Sequence, residues 1–228
     1  MNLEHHYRKM WTQSMQQFDQ GRFEFDSCLN TPNDTRRGIT LLARPSEVVK
    51  DSIKSMLDDL RTTESQQYYY PTSDIHVTVL SIISCYEGFT LQKIDTTAYV
   101  DLIGEALSRI PAFDIRFLGI TASPSCLILQ GFPSGDVLHR LRDEVRKKFR
   151  KSALQCSIDK RYHIQTAHST VVRFKSPLTH PKLFLDKVKN YRDVDFGTFV
   201  VNEMDLVFHD WYQRAENTVL LERFRLNR

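Results

Sequence analysis

Two short segments of the sequence repeat one pattern of chemically active residues. Residues 76–79 read His-Val-Thr-Val, and residues 168–171 read His-Ser-Thr-Val. None of the six other histidines has Ser or Thr two positions later. Imidazole titrates at about pH 6.5 and can accept or donate a proton near neutrality, while a hydroxyl can donate a hydrogen bond to a charged oxygen. The pattern therefore predicts two acid–base groups, each accompanied by its own hydroxyl.

Both segments lie in runs of apolar and β-branched residues that predict β-strands, at residues 75–83 and 167–174. On a strand, positions i and i+2 project from the same face, so the histidine and threonine of each pair stand side by side. If the two strands face each other, the four side chains form a metal-free acid–base site around a phosphate. The candidate catalytic residues are His76 and His168, and the candidate phosphate-binding residues are Thr78 and Thr170.

The composition is that of an ordinary globular protein. The chain has 228 residues, of which 41% are hydrophobic and 26% are charged, enough for one large domain or two lobes that share a cleft. A net charge of +3 permits an anionic ligand but does not favour a surface that coats nucleic acid. We expect a monomer.

The sequence favours a cytoplasmic location. The first seven residues include an acid and two histidines and no apolar run, unlike a secretory signal. No stretch approaches the roughly 18 apolar residues that a membrane span needs. The four cysteines show no CxxC spacing, which favours reduced thiols over disulfides or a zinc site. We therefore expect no membrane association, no metal and no cofactor.

The order of predicted elements repeats along the chain. Residues 1–37 predict a helical N-terminal extension, and residues 38–228 predict the main domain, built from two interleaved lobes. In the first half a strand leads through Pro45-Ser46 into a helix and then to His76, 30 positions after Ser46. In the second half a strand leads through Pro133-Ser134 into a helix and then to His168, 34 positions after Ser134. This repetition indicates an internal duplication with one motif in each half.

The doubled motif and the two matched halves resemble the 2H phosphoesterase superfamily, from about residue 37 to residue 228. Its members include LigT-like 2′-5′ RNA ligase/RNA 2′,3′-cyclic phosphodiesterase proteins and plant cyclic phosphodiesterases. The resemblance implies a bilobal α+β fold with a pseudo-twofold duplication, in which two antiparallel-rich sheets form a central groove and helices lie outside. Two departures stand out: Ser169 occupies a position that is commonly apolar, and the N-terminal extension is longer than in the simplest relatives.

The resemblance also implies a reaction. One histidine would act as general base and the other as general acid on a 2′,3′-cyclic phosphodiester, which belongs to an RNA end or a small nucleotide, with both threonines on the phosphate. We expect His168 to be the base and His76 the acid. Arg173, five residues past His168, matches an arginine of many relatives. The odd offset places Arg173 on the opposite strand face, so a bulge or a strand end is required to bring it into the groove.

Other interpretations of the same residues stay open. Tyr69 and Tyr70 are candidates for stacking on a base, or they belong to a tyrosine-rich segment that covers the core. The substrate is alternatively a 2′-5′ linkage or another cyclic phosphate. In a different class, the protein is a nucleotide- or RNA-binding module without turnover.

Overall fold

Two antiparallel sheets form the centre of the fold in the computed structural model, which describes residues 2–31 and 33–227. The predicted α+β class with two sheets is confirmed. Five α-helices accompany the sheets: α1 (Leu3–Asp19), α2 (Glu47–Arg61), α3 (Thr96–Leu107), α4 (Val137–Lys151) and α5 (Pro181–Asn190).

The four-stranded sheet carries the first motif at its edge. Its strands are β1 (Arg36–Ala43), β3 (Val77–Glu87), β8 (Glu203–Asp210) and β9 (Val219–Arg225), in the order β3-β1-β8-β9. The residues of β1 from Gly38 onward are apolar or β-branched and almost wholly buried, as expected for an inner strand covered on both faces. This buried strand pairs antiparallel with β3 from Arg36 to Ala43.

The five-stranded sheet carries the second motif. It contains β2 (Tyr68–Tyr69), β4 (Phe113–Ser123), β5 (Cys126–Pro133), β6 (Ser169–Arg173) and β7 (Asp195–Val201), in the order β2-β6-β5-β4-β7. The short edge strand β2 shields β6, pairing Tyr68 with Arg173 and Tyr69 with Val172.

The two halves of the chain build the same unit. β1 leads into α2, and the chain returns to pair β3 antiparallel with β1. β5 leads into α4, and the chain returns to pair β6 antiparallel with β5. Each helix packs against the sheet of the other half. α2 contacts β7 of the five-stranded sheet, and α4 contacts β3 of the four-stranded sheet. Each half therefore covers the sheet of the other.

The N-terminal helix α1 packs on β4. Its buried residues Tyr7, Ser14 and Phe18 recur at helical spacing, and the Ser14 hydroxyl donates to the backbone oxygen of Ala122 at 2.8 Å. The helix ends at Asp19, and the glycine at position 21 takes the left-handed conformation (φ +69°) that turns the chain away.

In residues 2–31 and 33–227, no helix has both the length and the apolar character needed to cross a membrane. The four cysteine thiols are free, and Cys85 and Cys126 are buried.

Candidate active site

One cleft between the two sheets contains both motifs. Its lining includes His76 and Thr78 from the four-stranded sheet and His168, Thr170 and Arg173 from the five-stranded sheet, and its volume is about 250 Å³. Each histidine lies one residue before its strand begins. The four side chains of the two motifs are half-buried, which is the exposure expected of groups that face a cleft.

A bulge in β6 brings Arg173 into the cleft. Leu127 pairs with Val172 and Ile128 pairs with Thr170, so Val171 is an extra residue on β6. Because of this insertion Val171 and Val172 are both buried, whereas Thr170 and Arg173 share the more exposed face. On a regular strand, Arg173 would face away from His168, because it lies five positions later. The bulge turns it to the side of the cleft.

The first motif has the same irregularity. Leu42 pairs with Thr78 and Leu41 pairs with Leu80, which leaves Val79 as the extra residue on β3. Burial along β3 from Val77 follows the order of β6 from Ser169: buried, half-buried, buried, buried, half-buried. The position five past His76 is Ser81, and it lines the cleft as Arg173 does. Both halves therefore share the bulge. At the position five past the histidine, the first half has the Ser81 hydroxyl and the second half has the Arg173 guanidinium.

His76 is held in one tautomer. Its Nδ1 lies 2.6 Å from the backbone oxygen of Asp74, and a carbonyl oxygen only accepts, so Nδ1 carries the proton and donates. The Asp74 carboxylate in turn accepts from the backbone N–H of Ala215 and from the Ser73 hydroxyl. Nε2 of His76 is therefore left for the cleft, with its lone pair available.

His168 has a hydroxyl as its partner. Its Nδ1 lies 2.6 Å from Oγ1 of Thr166. Nε2 is again the ring nitrogen left for the cleft. The two halves thus hold Nδ1 of each imidazole and leave Nε2 of each free to exchange protons with a ligand.

Burial lowers the pKa of both imidazoles. The pKa of His76 falls from 6.5 to about 3, and the pKa of His168 falls to about 4. Desolvation is the largest cause for both. Arg142 and Arg173 add positive charge near His168. Arg44 does the same near His76, where the bond to the Asp74 carbonyl offsets part of the effect. Without an anion in the cleft, both rings are therefore neutral at pH 7.

A buried arginine joins the two motifs from beneath the cleft. Arg142 of α4 is only 1% exposed. It donates from Nε to the backbone oxygen of Val79 at 2.8 Å, and from Nη2 to the backbone oxygens of Thr78 at 3.2 Å and Thr166 at 2.8 Å. One side chain thus fixes the bulge of the first motif to the segment that precedes the second.

Comparison with solved structures identifies the fold. TT0787 of Thermus thermophilus aligns with a TM-score of 0.58 at 16% identity, over 83% of this chain and 97% of that chain. Escherichia coli LigT aligns with a TM-score of 0.56 at 14% identity, over 85% of this chain and 99% of that chain. The chain has a LigT-like fold. No protein-family model and no curated protein matches the sequence.

A third similar structure, a conserved protein of unknown function from Agrobacterium tumefaciens, has a TM-score of 0.54 at 17% identity, over 87% of this chain and 94% of that chain. At these identities the likenesses show the fold alone, and that fold agrees with the one that the sequence resemblance implies.

Tyr69 and Tyr70 do not offer a face for stacking. Tyr69 is 6% exposed, lies outside the cleft lining and donates its hydroxyl to the backbone oxygen of Glu64. Tyr70 lines the cleft but is 3% exposed, and its hydroxyl accepts from Nε of Arg173 at 2.9 Å. The base-stacking prediction is therefore wrong for both tyrosines, because they cover the core beside β6 and Tyr70 orients Arg173.

Part of the cleft lining comes from residues that the motifs did not indicate. The turn after β8 supplies Trp211, Tyr212 and Gln213. The guanidinium groups of Arg36 and Arg161 lie 4.6 and 4.5 Å from the centre of the Trp211 ring. Ser81 could have been found from the sequence, because it lies five positions past His76 as Arg173 lies five past His168. No pattern in the sequence indicates the turn that carries Trp211, Tyr212 and Gln213.

His209 is a third histidine in the cleft lining, and its ring is fully engaged. Its Nδ1 donates to the backbone oxygen of Asp210 at 2.6 Å, so its Nε2 accepts from the Thr40 hydroxyl at 2.8 Å. Burial lowers its pKa to about 4. Because both ring nitrogens are bonded within the protein, His209 supports β1 and β8 and is not placed for proton transfer to a ligand.

Proposed function

We propose that this chain hydrolyses a 2′,3′-cyclic phosphodiester, on an RNA end or a small nucleotide, without a metal ion. The observation that supports this proposal is the pair of imidazoles in one cleft, each with Nδ1 held by the protein and Nε2 free. Hydrolysis needs one group to take a proton from water and a second to give a proton to the departing ribose oxygen. Two free Nε2 atoms meet both needs.

We keep His168 as the proposed base and His76 as the proposed acid. Positive charge opposes protonation of both rings, from Arg44 at His76 and from Arg142 and Arg173 at His168, and the Asp74 carbonyl stabilises a protonated His76. The two lowered pKa values are too similar to assign the roles. A neutral His168 removes a proton from water, and a protonated His76 delivers one to the leaving oxygen.

A bound phosphate anion favours protonation of His76. The negative charge of a cyclic phosphodiester beside His76 favours the imidazolium and so raises its pKa above the value of the empty cleft. For His76 to hold a proton near pH 7, the bound anion has to raise its pKa from about 3 to about 7, which corresponds to roughly 5 kcal/mol. This coupling accounts for a site whose imidazoles are neutral when it is empty.

Thr78, Thr170 and Arg173 are the proposed phosphate ligands. The two hydroxyls flank the histidines on their strands, and they donate to the non-bridging oxygens, on which charge builds in the transition state. The guanidinium of Arg173 is oriented by Tyr70 and lies 3.7 Å from the Asp26 carboxylate. It supplies a fixed positive group at the cleft wall.

The cleft and the structural relatives of this chain support a nucleotide as the substrate class. E. coli LigT, at 12–14% identity, has been crystallised with 3′-AMP, ATP, NADP⁺ and phosphate. A cleft of about 250 Å³ suits a nucleotide unit. We propose a nucleotide or RNA with a cyclic phosphate end as the partner of a monomeric, cytoplasmic enzyme, and a product that carries a 2′-phosphate.

A panel of substrates tests this function. The protein is incubated in EDTA with the four 2′,3′-cyclic nucleotides, RNA ending in a cyclic phosphate, a 2′-5′-linked dinucleotide and ADP-ribose cyclic phosphate, and product regiochemistry is read by phosphorus NMR. Hydrolysis of the cyclic nucleotides to 2′-phosphates supports the proposal. Strict dependence on added metal contradicts the mechanism. Cleavage of only the 2′-5′ linkage or ADP-ribose cyclic phosphate shifts the substrate, and binding without turnover favours the nucleotide-binding alternative.

A further inference from the structure

The loop that joins α4 to the second motif, residues 152–168, contributes a guanidinium to the cleft. The loop is fixed at two points. The backbone N–H of Ser157 donates to the backbone oxygen of Ile82 on β3 at 2.9 Å, and the backbone oxygen of Ile164 accepts from a guanidinium of α4 at 3.2 Å. Arg161 lies between these points and lines the cleft. Its position is therefore set by the anchored backbone on both sides.

The guanidinium of Arg161 is held in place without being neutralised. It lies 4.5 Å from the centre of the Trp211 ring, a cation–π contact. The carboxylate of Asp159 also belongs to the cleft lining, but it accepts from Arg146 at 2.7 and 3.1 Å. In the described part of the chain, no carboxylate forms an ion pair with Arg161. Its positive charge is therefore available to a ligand.

A second guanidinium borders the same turn of the cleft wall. Arg173 lies 5.5 Å from the centre of the Tyr212 ring, next to Trp211 in the chain. The guanidinium of Arg36 is 4.6 Å from the Trp211 ring centre and 6.0 Å from that of Tyr212, so the two rings are close neighbours. Arg161 and Arg173 thus line one cleft, each beside its own aromatic ring.

Two separate positive groups suit a nucleotide with two separate phosphates. In a 2′,3′-cyclic nucleotide the reacting phosphate is bonded to O2′ and O3′, and a phosphate on O5′ lies across the ribose ring from it. The reacting phosphate belongs beside His76, His168 and Arg173. A phosphate on O5′ can then meet the other guanidinium, whose planar fork donates two parallel hydrogen bonds to phosphate oxygens.

We propose that Arg161 binds a phosphate group on O5′ of the terminal nucleoside. The cleft then prefers a cyclic end that carries a 5′-phosphate over one with a free 5′-hydroxyl. An RNA end supplies this group as a diester, and a 5′-phosphorylated mononucleotide supplies it as a monoester. The inference rests on the proposed function for turnover only, because the binding of two phosphates requires no reaction.

The binding experiment uses two ligands that differ only in the group on O5′. Isothermal titration calorimetry measures the affinities of adenosine 3′-monophosphate and adenosine 3′,5′-bisphosphate, whose 3′-phosphates stand in for the reacting phosphate. The proteins are the wild type, Arg161→Met, Arg161→Lys and Lys160→Met. Lys160 is the matched control, because it is exposed on the same loop, carries the same charge and lies outside the cleft lining.

We expect the wild type to bind the bisphosphate about 3- to 30-fold more tightly, the range for a charged hydrogen bond that water partly screens. Arg161→Met should reduce this ratio to near one, Arg161→Lys should reduce it less, and Lys160→Met should keep most of it. The ratio should also shrink as salt is added. Equal affinities in the wild type, or a preference that survives in Arg161→Met, would overturn the proposal.

Turnover separates this inference from the proposed function. The substrates are 2′,3′-cyclic AMP, its 5′-phosphorylated form and an adenosine dinucleotide with a 2′,3′-cyclic end, and kcat/KM should rise for both forms that carry a 5′-phosphate. A rise for the dinucleotide alone supports the site and assigns the group to RNA. Hydrolysis of all three at equal kcat/KM would overturn the role of Arg161 and leave the proposed function standing. A preference for the bisphosphate in a protein that hydrolyses none of them would do the reverse.

Discussion

Arg142 offers a direct test of how the two halves are joined. Arg142→Met keeps an unbranched side chain of helical preference on α4 but removes all the donors. The backbone oxygens of Thr78, Val79 and Thr166 then lose the bonds that they accept at 2.8–3.2 Å. We expect a large loss of stability and a loosened cleft.

The magnitude follows from two opposing terms. A hydrogen bond from a charged group contributes about 1.5–3 kcal/mol, so three such bonds contribute roughly 4–9 kcal/mol. Burying the guanidinium offsets part of this: burial lowers the pKa of Arg142 to about 10, which corresponds to roughly 3 kcal/mol. The free energy of unfolding should therefore fall by about 1–6 kcal/mol.

Urea unfolding monitored by circular dichroism measures this change, and the same helix supplies the control. Arg140 is exposed and pairs with Asp136 on the surface, so Arg140→Met should change the free energy of unfolding by less than about 0.5 kcal/mol. Arg142→Lys should fall between the two. An Arg142→Met protein as stable as Arg140→Met would refute the claim that this buried side chain joins the motifs.

Three further perturbations have defined outcomes. Ser169 is buried, and its hydroxyl has no hydrogen-bond partner among the described residues. Ser169→Ala should therefore raise the free energy of unfolding, measured in urea, by about 1 kcal/mol and leave kcat unchanged. A variant less stable than the wild type would mean that the hydroxyl has a hydrogen-bond partner. His76, His168 and His209 have pKa values of about 3, about 4 and about 4 in the folded chain and about 6.5 when unfolded. The unfolded state therefore binds more protons between pH 4 and 6.5, and stability should fall by roughly 4–6 kcal/mol from pH 7 to pH 5, with a smaller fall in His168→Gln. Equal stability at the two pH values would contradict the lowered pKa values. Arg173→Met should lower kcat/KM by about 10- to 100-fold, mainly by raising KM, and Arg173→Lys should lower it by less. An unchanged KM in steady-state assays would show that Arg173 does not bind the substrate phosphate.

The sequence was sufficient to predict the parts of the site that obey strand periodicity. The offset of two between His76 and Thr78, and between His168 and Thr170, depends only on the pleat of a strand. The odd offset of Arg173 likewise required an irregularity, and the extra residue Val171 provides it.

The remaining parts depend on contacts between distant segments. Tyr69 and Tyr70 look like exposed aromatics in the sequence, but pairing of β2 with β6 buries them. Arg142 resembles its exposed neighbours on α4, and only the packing of α4 against β3 shows that it lies beneath the cleft. His209 is in no motif, and its role depends on Thr40, 169 positions away.

The central claim is that His76 and His168 act as one acid–base pair. The most direct measurement is single-turnover hydrolysis of a 2′,3′-cyclic nucleotide in EDTA by the wild type, His76→Ala, His168→Ala and the double variant, with the exposed His163→Ala as control. Each single variant should lose roughly 10²–10⁴-fold in rate, and the double variant should lose far less than the product of the two. A rate near that of the wild type in His76→Ala or His168→Ala would contradict the claim.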